Sequence, residues 1–311
     1  MPGLVGRTPW SARGPLAPLF SLALALLCSS CSVKPSGSVV VDPVLEALVP
    51  PDAVFASGFD VDAMRNSPAW QKHLSKVDFP ALTDFTRKTG LDPRQDIHQL
   101  LFYSTGKSTV LLVRGKEPKF QADVAPPFDY KGFHLFGNER GAVLLLNPTT
   151  AAAGPTPALR ALIDQRDRGS HHLPAALAEK VHRISGGDQI WGAFIGGFGD
   201  LDLGIDPNTN LGNILRVFQA IDSATFGIDL RTGFDLQAQA DCRTERDAKK
   251  LRDTVKGVVG LGRLSTPDNR PELLKLYDAI QTTQDNQRVQ VNAILSADQV
   301  DQFLDLWLKS K

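Results

Sequence analysis

The sequence predicts an α+β fold, with antiparallel sheets packed with helices. Short runs with apolar residues at every second position are typical of strands, and they alternate with runs whose apolar residues recur three and four apart, as in helices. Several strand runs are separated only by tight turns, which join antiparallel neighbours. We therefore expect antiparallel sheets covered by helices, without the long crossovers of a parallel sheet.

The first half of the chain opens with a strand and a helix. Residues 53–59 read as a strand, and Asp60 or Asp62 can cap a helix from Ala63 to about Val77. A second helix is predicted over 80–88, ended by Gly90. Two hairpins follow, with strands at 97–103 and 109–114, and then at 133–136 and 142–146.

The second half begins with a stretch rich in Pro, Thr, Ala and Gly, 147–157, which predicts a loop. Alternation is clearest in a hairpin turned at Thr232-Gly233, with strands 224–230 and 234–242. Thr244 caps a long helix, and Ser296 with Gln299 forms a capping box before the last one. The other predicted elements are helices 158–166, 174–181 and 271–280 and strands 189–195 and 289–295.

A degenerate internal repeat bears on the architecture. Gly90-Leu91-Asp92-Pro93 and Gly204-Ile205-Asp206-Pro207 each precede a predicted hairpin and follow a predicted strand. They suggest two related β-α-β-β modules, at about 51–146 and 185–311, joined by a helical connector. The alternative is a common turn in which Gly ends a helix and Asp-Pro starts the next element.

Composition excludes some classes of partner. The chain of 311 residues has 34 basic and 34 acidic residues, so no net field attracts nucleic acid. Cys242 is the single cysteine inside the body, and a lone thiol cannot form an intrachain disulfide.

The amino terminus has the order of an export signal. Arg7 and Arg13 precede the apolar run 19–28, and the first acidic residue is Asp42. The apolar run has roughly ten residues, about half of what a membrane-spanning helix needs. We expect this leader to be cleaved.

The end of the leader, Leu27-Cys28-Ser29-Ser30-Cys31-Ser32, resembles the lipobox of bacterial lipoproteins. The resemblance implies a signal peptide over 1–30, fatty acylation of Cys31 and a membrane anchor. The family prefers Leu where Cys28 stands, so cleavage without lipid attachment, giving a secreted or periplasmic protein, is the alternative. Ser32 after the cysteine implies sorting to the outer membrane, facing the periplasm. A flexible tether over 31–48 would lead to the α+β body, 49–311.

The body is similar in pattern to uncharacterised exported proteins of Gram-negative environmental bacteria. The similarity rests on a strand ending in Gly58-Phe59-Asp60 and on the turn from Gly90 to Pro93. Those proteins carry no established activity, so the resemblance implies no site residues.

Short motifs for catalysis fail in their sequence context. Ser104 and Lys107 form a Ser-x-x-Lys pair, and Lys88-Thr89-Gly90 is a Lys-Thr-Gly triplet, but their order is reversed relative to penicillin-recognising enzymes. Thr105-Gly106-Lys107-Ser108 resembles the end of a phosphate-binding loop, yet it lies in a predicted hairpin turn. We expect no nucleotide or other cofactor.

Metal-site patterns are equally weak. His171, His172 and His182 could meet only if a turn brought them together, and no acidic or cysteine ligand has helical spacing with them. The oxygen-rich stretch 200–210 does not fit a calcium loop. Cys242 and the tryptophans Trp70, Trp191 and Trp307 are interpreted as core residues.

The sequence therefore favours a non-catalytic lipoprotein of the cell envelope that binds or organises a partner at the membrane surface. The alternative is an envelope hydrolase whose acid and base meet only in the folded chain.

Overall fold

A computed structural model describes residues 37–76, 83, 86–87, 89–118, 127–166, 172–196, 219–267 and 270–309. The strands described there form one antiparallel sheet of twelve, and helices pack on it, which confirms the α+β class. The strands are β1 Phe55–Asp60, β2 Ile97–Ser104, β3 Thr109–Gly115, β4 Pro127–Tyr130, β5 Phe133–Gly137, β6 Ala142–Asn147, β7 Thr150–Gly154, β8 Ile190–Ile195, β9 Ile221–Asp229, β10 Gly233–Cys242, β11 Ile280–Asp285 and β12 Arg288–Ser296. The α-helices are α1 Pro43–Glu46, α2 Val61–Arg65, α3 Pro68–Lys72, α4 Pro93–Asp96, α5 Thr156–Arg166, α6 Ala175–Val181, α7 Glu245–Leu264, α8 Pro271–Ala279 and α9 Ala297–Lys309.

Strands β1 and β8 form the antiparallel pair at the middle of the sheet, and each starts one half of it. From the middle outwards, the first half runs β1, β2, β3, β7, β6, and the second runs β8, β9, β10, β12, β11. The two halves thus share a strand order, and β5 and β4 extend the first half. Duplication of a module stays a prediction, because its second motif, 204–207, lies outside the described residues.

Side chains alternate between two faces of this sheet. We call the face that carries Ala56 of β1 the front and the face that carries Ser57 the back. In the first half, the core lies on the front, where Leu112 and Leu144 are fully buried together with Leu159 of α5. Helix α6 also contributes to this cluster, through Leu177.

In the second half, the helical layer lies on the back instead. Helices α7, α8 and α9 contact β10, β11 and β12, and a second buried cluster forms around Cys242, Leu251 and Val289. Helices α5 and α9, which follow the corresponding strands β7 and β12, therefore cover opposite faces. The front of the second half carries no helix of this group.

The predicted loop over 147–157 is wrong, because five of its residues form strand β7. This strand pairs with β3 on one side and β6 on the other. Its side chains are small, and fully buried Ala152 fits between Leu112 and Leu144 on the front face. Tertiary packing overrides the low strand propensity of alanine here.

The predicted tether and first helix also need correction. Residues 37–48 of the 31–48 tether belong to the folded body, since Leu45 and Leu48 are buried and α1 lies among them. The single helix predicted from Ala63 is split, because Ser67 caps a new helix that begins at Pro68. Strands β4 and β11 were not predicted.

Other local predictions are confirmed. Thr244 accepts a hydrogen bond from the Asp247 amide and caps α7. The Ser296 amide donates to Gln299 Oε1 at 2.9 Å, and the Gln299 amide donates to Ser296 Oγ at 3.3 Å. This reciprocal pair is the capping box expected before α9.

Candidate functional site

A large apolar cavity lies between the back of the second half of the sheet and the helices that cover it. Its volume is about 670 Å³, within the range of small-molecule sites. The only polar residue in its described lining is Thr254. The lining comprises Ala69, Leu74, Leu230, Phe234, Leu236, Thr254, Val255, Val258, Val259, Leu276, Ile280, Val291, Ala293, Leu295, Val300, Phe303 and Leu304.

The floor of the cavity follows from strand alternation. Leu236 of β10 lies directly opposite Ala293 of β12, and Phe234 lies opposite Leu295. Since cross-strand partners share a face, all four side chains point to the back. Ala293 is the smallest of the four, and its short side chain leaves room above the floor.

The roof comes from helical spacing. Val255 and Val259 are four apart on α7 and lie on one side of that helix, while Val300 and Leu304 do the same on α9. No charged side chain enters the described lining. The cavity can therefore hold an apolar molecule but offers nothing that would bind a charged group inside it.

Two lining residues reach the surface. Val258 of α7 is 44% exposed and Phe303 of α9 is 37% exposed, although both line the cavity. The cavity thus opens to solvent beside these two helices. An elongated molecule could enter there without breaking any strand pairing.

Helix α9 is tied to the other side of the cavity by ionic contacts. The Asp301 carboxylate pairs with Lys72, and its Oδ1 lies 3.0 Å from Nε2 of buried His73. Nδ1 of His73 lies 3.5 Å from Asp305. The hydrogen bond from Lys72 is the main cause that holds the pKa of Asp301 below its usual value. These contacts fix α9 against the end of α3.

The residues of the catalytic motifs are used locally or lie apart. Ser104 is buried, and its hydroxyl donates to the Ser108 carbonyl while accepting from the Gly106 amide, so it stabilises the hairpin turn. Lys107 is exposed in that turn. Thr89 Oγ1 accepts a hydrogen bond from the Leu91 amide. Lys88 lies outside the described residues.

The predicted metal-type clusters do not assemble in the described part of the chain, where no group of three His, Cys, Asp or Glu side chains could hold an ion. His172 is 84% exposed, and His182 is exposed on another segment. His171 and the stretch 200–210 lie outside the described residues.

Cys242 is buried, and burial raises the pKa of its thiol to about 11, with the Asp247 and Asp241 carboxylates adding to the effect. A thiol with so high a pKa is a poor nucleophile at neutral pH. Trp191 is buried at the middle of the sheet and Trp70 is half-buried, whereas the Trp307 side chain is outside the description.

Four histidines in the described ranges have a carboxylate partner, among them His172, whose Nδ1 lies 3.7 Å from Glu46. His98 lies 3.0 Å from Asp62, His134 lies 2.5 Å from Asp129, and His73 contacts Asp301. Within the described ranges, no serine, threonine or cysteine side chain hydrogen-bonds to these imidazoles, as the nucleophile of a triad would. Nothing in this geometry favours the hydrolase alternative.

The residues of the cavity are distant in sequence and were not predicted as a site. The available signal was the apolar stripe of α7 and α9 at helical spacing, which core packing explains equally well. The leader residue Cys31 lies outside the described residues, so its lipid attachment stays a prediction.

Comparisons with known proteins give fold-level likeness alone. No family model matches the chain, and no curated protein does. Crystal forms I, III and IV of TP0453, a Treponema protein, are similar in structure, with TM-scores of 0.45, 0.47 and 0.42 and identities of 11%, 11% and 12%. The matches cover 85%, 86% and 85% of this chain and 98%, 99% and 97% of those chains. Likeness at this level has no bearing on function.

No helix in the described ranges is long and apolar enough to span a membrane.

Proposed function

We propose that the protein is a non-catalytic lipoprotein of the bacterial cell envelope that binds an acyl chain, or a similarly elongated apolar molecule, in the cavity beneath α7, α8 and α9. The observation that carries this proposal is the lining itself, in which Thr254 is the only polar residue described. An open space of this size with apolar walls is costly to leave filled with water. A hydrocarbon chain is the ligand class whose surface matches it.

The size of the expected affinity follows from burial. Each methylene transferred from water contributes about 0.8 kcal/mol, so about ten buried methylenes contribute roughly 8 kcal/mol before the cost of association. That gross figure corresponds to about micromolar dissociation constants at best. A polar headgroup would stay at the surface beside Val258 and Phe303, where the cavity opens.

Binding can be measured on the body alone, since residues 36–311 form one compact unit. A fluorescent dansyl fatty acid is titrated into a chain that begins at residue 32. We expect saturable binding that Ala293→Phe weakens at least tenfold by filling the floor. Ile294→Phe is the matched control, because the Ile294 side chain lies on the front and is 67% exposed. Absence of saturable binding, or equal binding by the Ala293→Phe chain, overturns the ligand proposal.

The envelope location is proposed from the lipobox resemblance at Cys31. Processed protein is expected in the outer membrane, facing the periplasm, with acyl groups on Cys31 as its first residue. Mass spectrometry of the mature amino terminus and membrane fractionation test this, with Cys31→Ala as the comparison. An unprocessed Met1, or a Cys31→Ala chain that is processed and fractionates like the parent, contradicts the anchor.

A further inference from the structure

The front of the second half of the sheet carries a patterned array of amide side chains. Gln281 of β11, Asn292 of β12 and Gln237 of β10 lie directly opposite one another in one row. A second row, two residues along, contains Gln290 of β12, Gln239 of β10 and Thr225 of β9. Neighbouring strands are about 4.8 Å apart, so each row presents a polar group at regular intervals across the sheet.

The amides of this array are available for a ligand. None of the five Gln and Asn side chains hydrogen-bonds to the rest of the described chain. Gln189, the residue before β8, behaves differently: its side-chain amide donates to the Gly187 carbonyl at 2.6 Å and accepts from the Leu230 backbone amide at 2.6 Å. The array is therefore not used to hold the fold together.

The array forms the floor of a groove of about 430 Å³, and the segment 183–188 after α6 lines one part of it. Asp188 from this segment lies over Gly227 of β9, where any added Cβ would be 1.9 Å from Asp188 Oδ2. Asp188 is only 8% exposed, so the segment is packed firmly against the sheet. Arg183 also lines the groove, but it is exposed and pairs with Glu179.

We propose that this groove binds a neutral oligosaccharide. Sugar hydroxyls both donate and accept hydrogen bonds, and a carboxamide side chain offers both functions without charge. The exposed Ile294 adds an apolar surface against which the C–H face of a sugar ring can lie. The strands of the floor contribute no Lys or Arg to the described lining, and the one charged side chain they contribute is the carboxylate of Asp235, which repels a nucleic acid or an anionic headgroup.

A peptide is a poorer fit. An extended peptide recognises a sheet through the free backbone groups of an edge strand, whereas this groove presents the face of paired strands. The groove also lies on the opposite face from the apolar cavity, so it is independent of the proposed acyl-chain site. One protein can therefore hold a lipid on one side of the sheet and a glycan on the other.

The test is calorimetric titration of the chain from residue 32 with three neutral sugars, maltohexaose, cellohexaose and chitohexaose. We expect at least one to bind saturably at millimolar or lower concentration. The double variant Gln239→Ala/Gln290→Ala should bind that sugar at least tenfold more weakly. Gln302→Ala, at an exposed position on α9, and Ala293→Phe should bind it like the parent.

Both amide positions face the groove and not the core, and unchanged circular dichroism and melting temperature would show that the double variant folds. The single variant Gln281→Ala gives a second measurement, with an expected loss of about fivefold. Absence of binding to every sugar overturns the proposal. Undiminished sugar binding by the double variant also overturns the proposal. So does an unstructured peptide that binds more strongly than every sugar and whose binding the same substitutions abolish.

Discussion

The indole of Trp191 occupies the space that a side chain at Gly58 would need. The two residues lie directly opposite each other on β8 and β1, the central strands of the sheet. A Cβ at Gly58 would be 2.4 Å from atoms of the indole ring. The absence of a side chain at Gly58 thus leaves the space that the Trp191 indole occupies where the two halves of the sheet meet.

Gly58→Ala is expected to lower the free energy of unfolding by about 1–3 kcal/mol, since Trp191 must leave its position. Urea denaturation followed by tryptophan fluorescence measures the change. Gly260→Ala is the matched control: a Cβ there meets nothing within 4 Å, and alanine should stabilise α7 by up to about 1 kcal/mol. Equal effects of the two substitutions would contradict this account of Gly58.

Removal of leucine should cost less at the cavity than in the core. Leu144→Ala is expected to lower the free energy of unfolding by about 2–5 kcal/mol, because this side chain is fully buried among packed neighbours. Leu276 lines the cavity and already lacks contacts on one side, so Leu276→Ala should cost about 1 kcal/mol. Equilibrium denaturation of both variants decides. If Leu276→Ala cost as much as Leu144→Ala, the cavity would be closed in solution.

The pH dependence of stability should include a contribution from Asp241. Burial opposes its ionisation, but hydrogen bonds from Lys180 and Arg288, both at 2.9 Å, outweigh this and place the pKa of Asp241 below its usual value. A lowered folded-state pKa stabilises the protein above the unfolded value of about 3.9, and the contribution is lost as the pH falls through the folded value.

Asp241→Asn should therefore lower the free energy of unfolding by about 1–2 kcal/mol at pH 7. The difference between the variant and the parent should shrink as the pH falls below about 4. Denaturation curves at several pH values measure it. A difference that stays constant down to pH 2 would show that Asp241 acts through packing alone.

Asp301→Asn should loosen α9, because it weakens the contacts with Lys72 and His73. Hydrogen exchange of the α9 amides is expected to become about tenfold faster, equivalent to about 1.4 kcal/mol. Asp298→Asn removes the same charge from the same helix at an exposed position and should change exchange by less than about fivefold. If both substitutions accelerated hydrogen exchange equally, the effect would come from the loss of negative charge on α9 and not from the specific contacts of Asp301 with Lys72 and His73.

Strands in which apolar and polar residues clearly alternate could be predicted from the sequence, whereas strands without this alternation could not. The hairpin of β9 and β10 was predicted from the period-two spacing of Phe226 and Ile228, although both side chains are half-buried while Asp229 on the other face is buried. Strand β7 is made largely of alanine, and its place in the sheet depends on the space between β3 and β6. Such a strand is specified by its neighbours and leaves little local signal.

The candidate sites divide in the same way. The cavity draws residues from positions 69 to 304, and no spacing in the sequence connects them. The amide array did leave a signal, because Gln237 and Gln239, and likewise Gln290 and Asn292, are two apart within strands. Side-chain amides at every second position of a strand indicate that one face of the strand is polar. The sequence does not show how neighbouring strands align, and it is this cross-strand register that places the amides in rows.

The helical layer covers the front of the first half of the sheet and the back of the second half, and this arrangement affects how the protein unfolds. The buried cluster around Leu144 and the one around Leu251 lie on opposite sides and are joined through paired backbone at the middle of the sheet. The body therefore consists of two two-layer units that share one continuous sheet, and their helical layers lie on opposite faces of it. Peeling α7 to α9 from one half would leave the hydrophobic layer of the other intact, so the architecture permits melting in two steps.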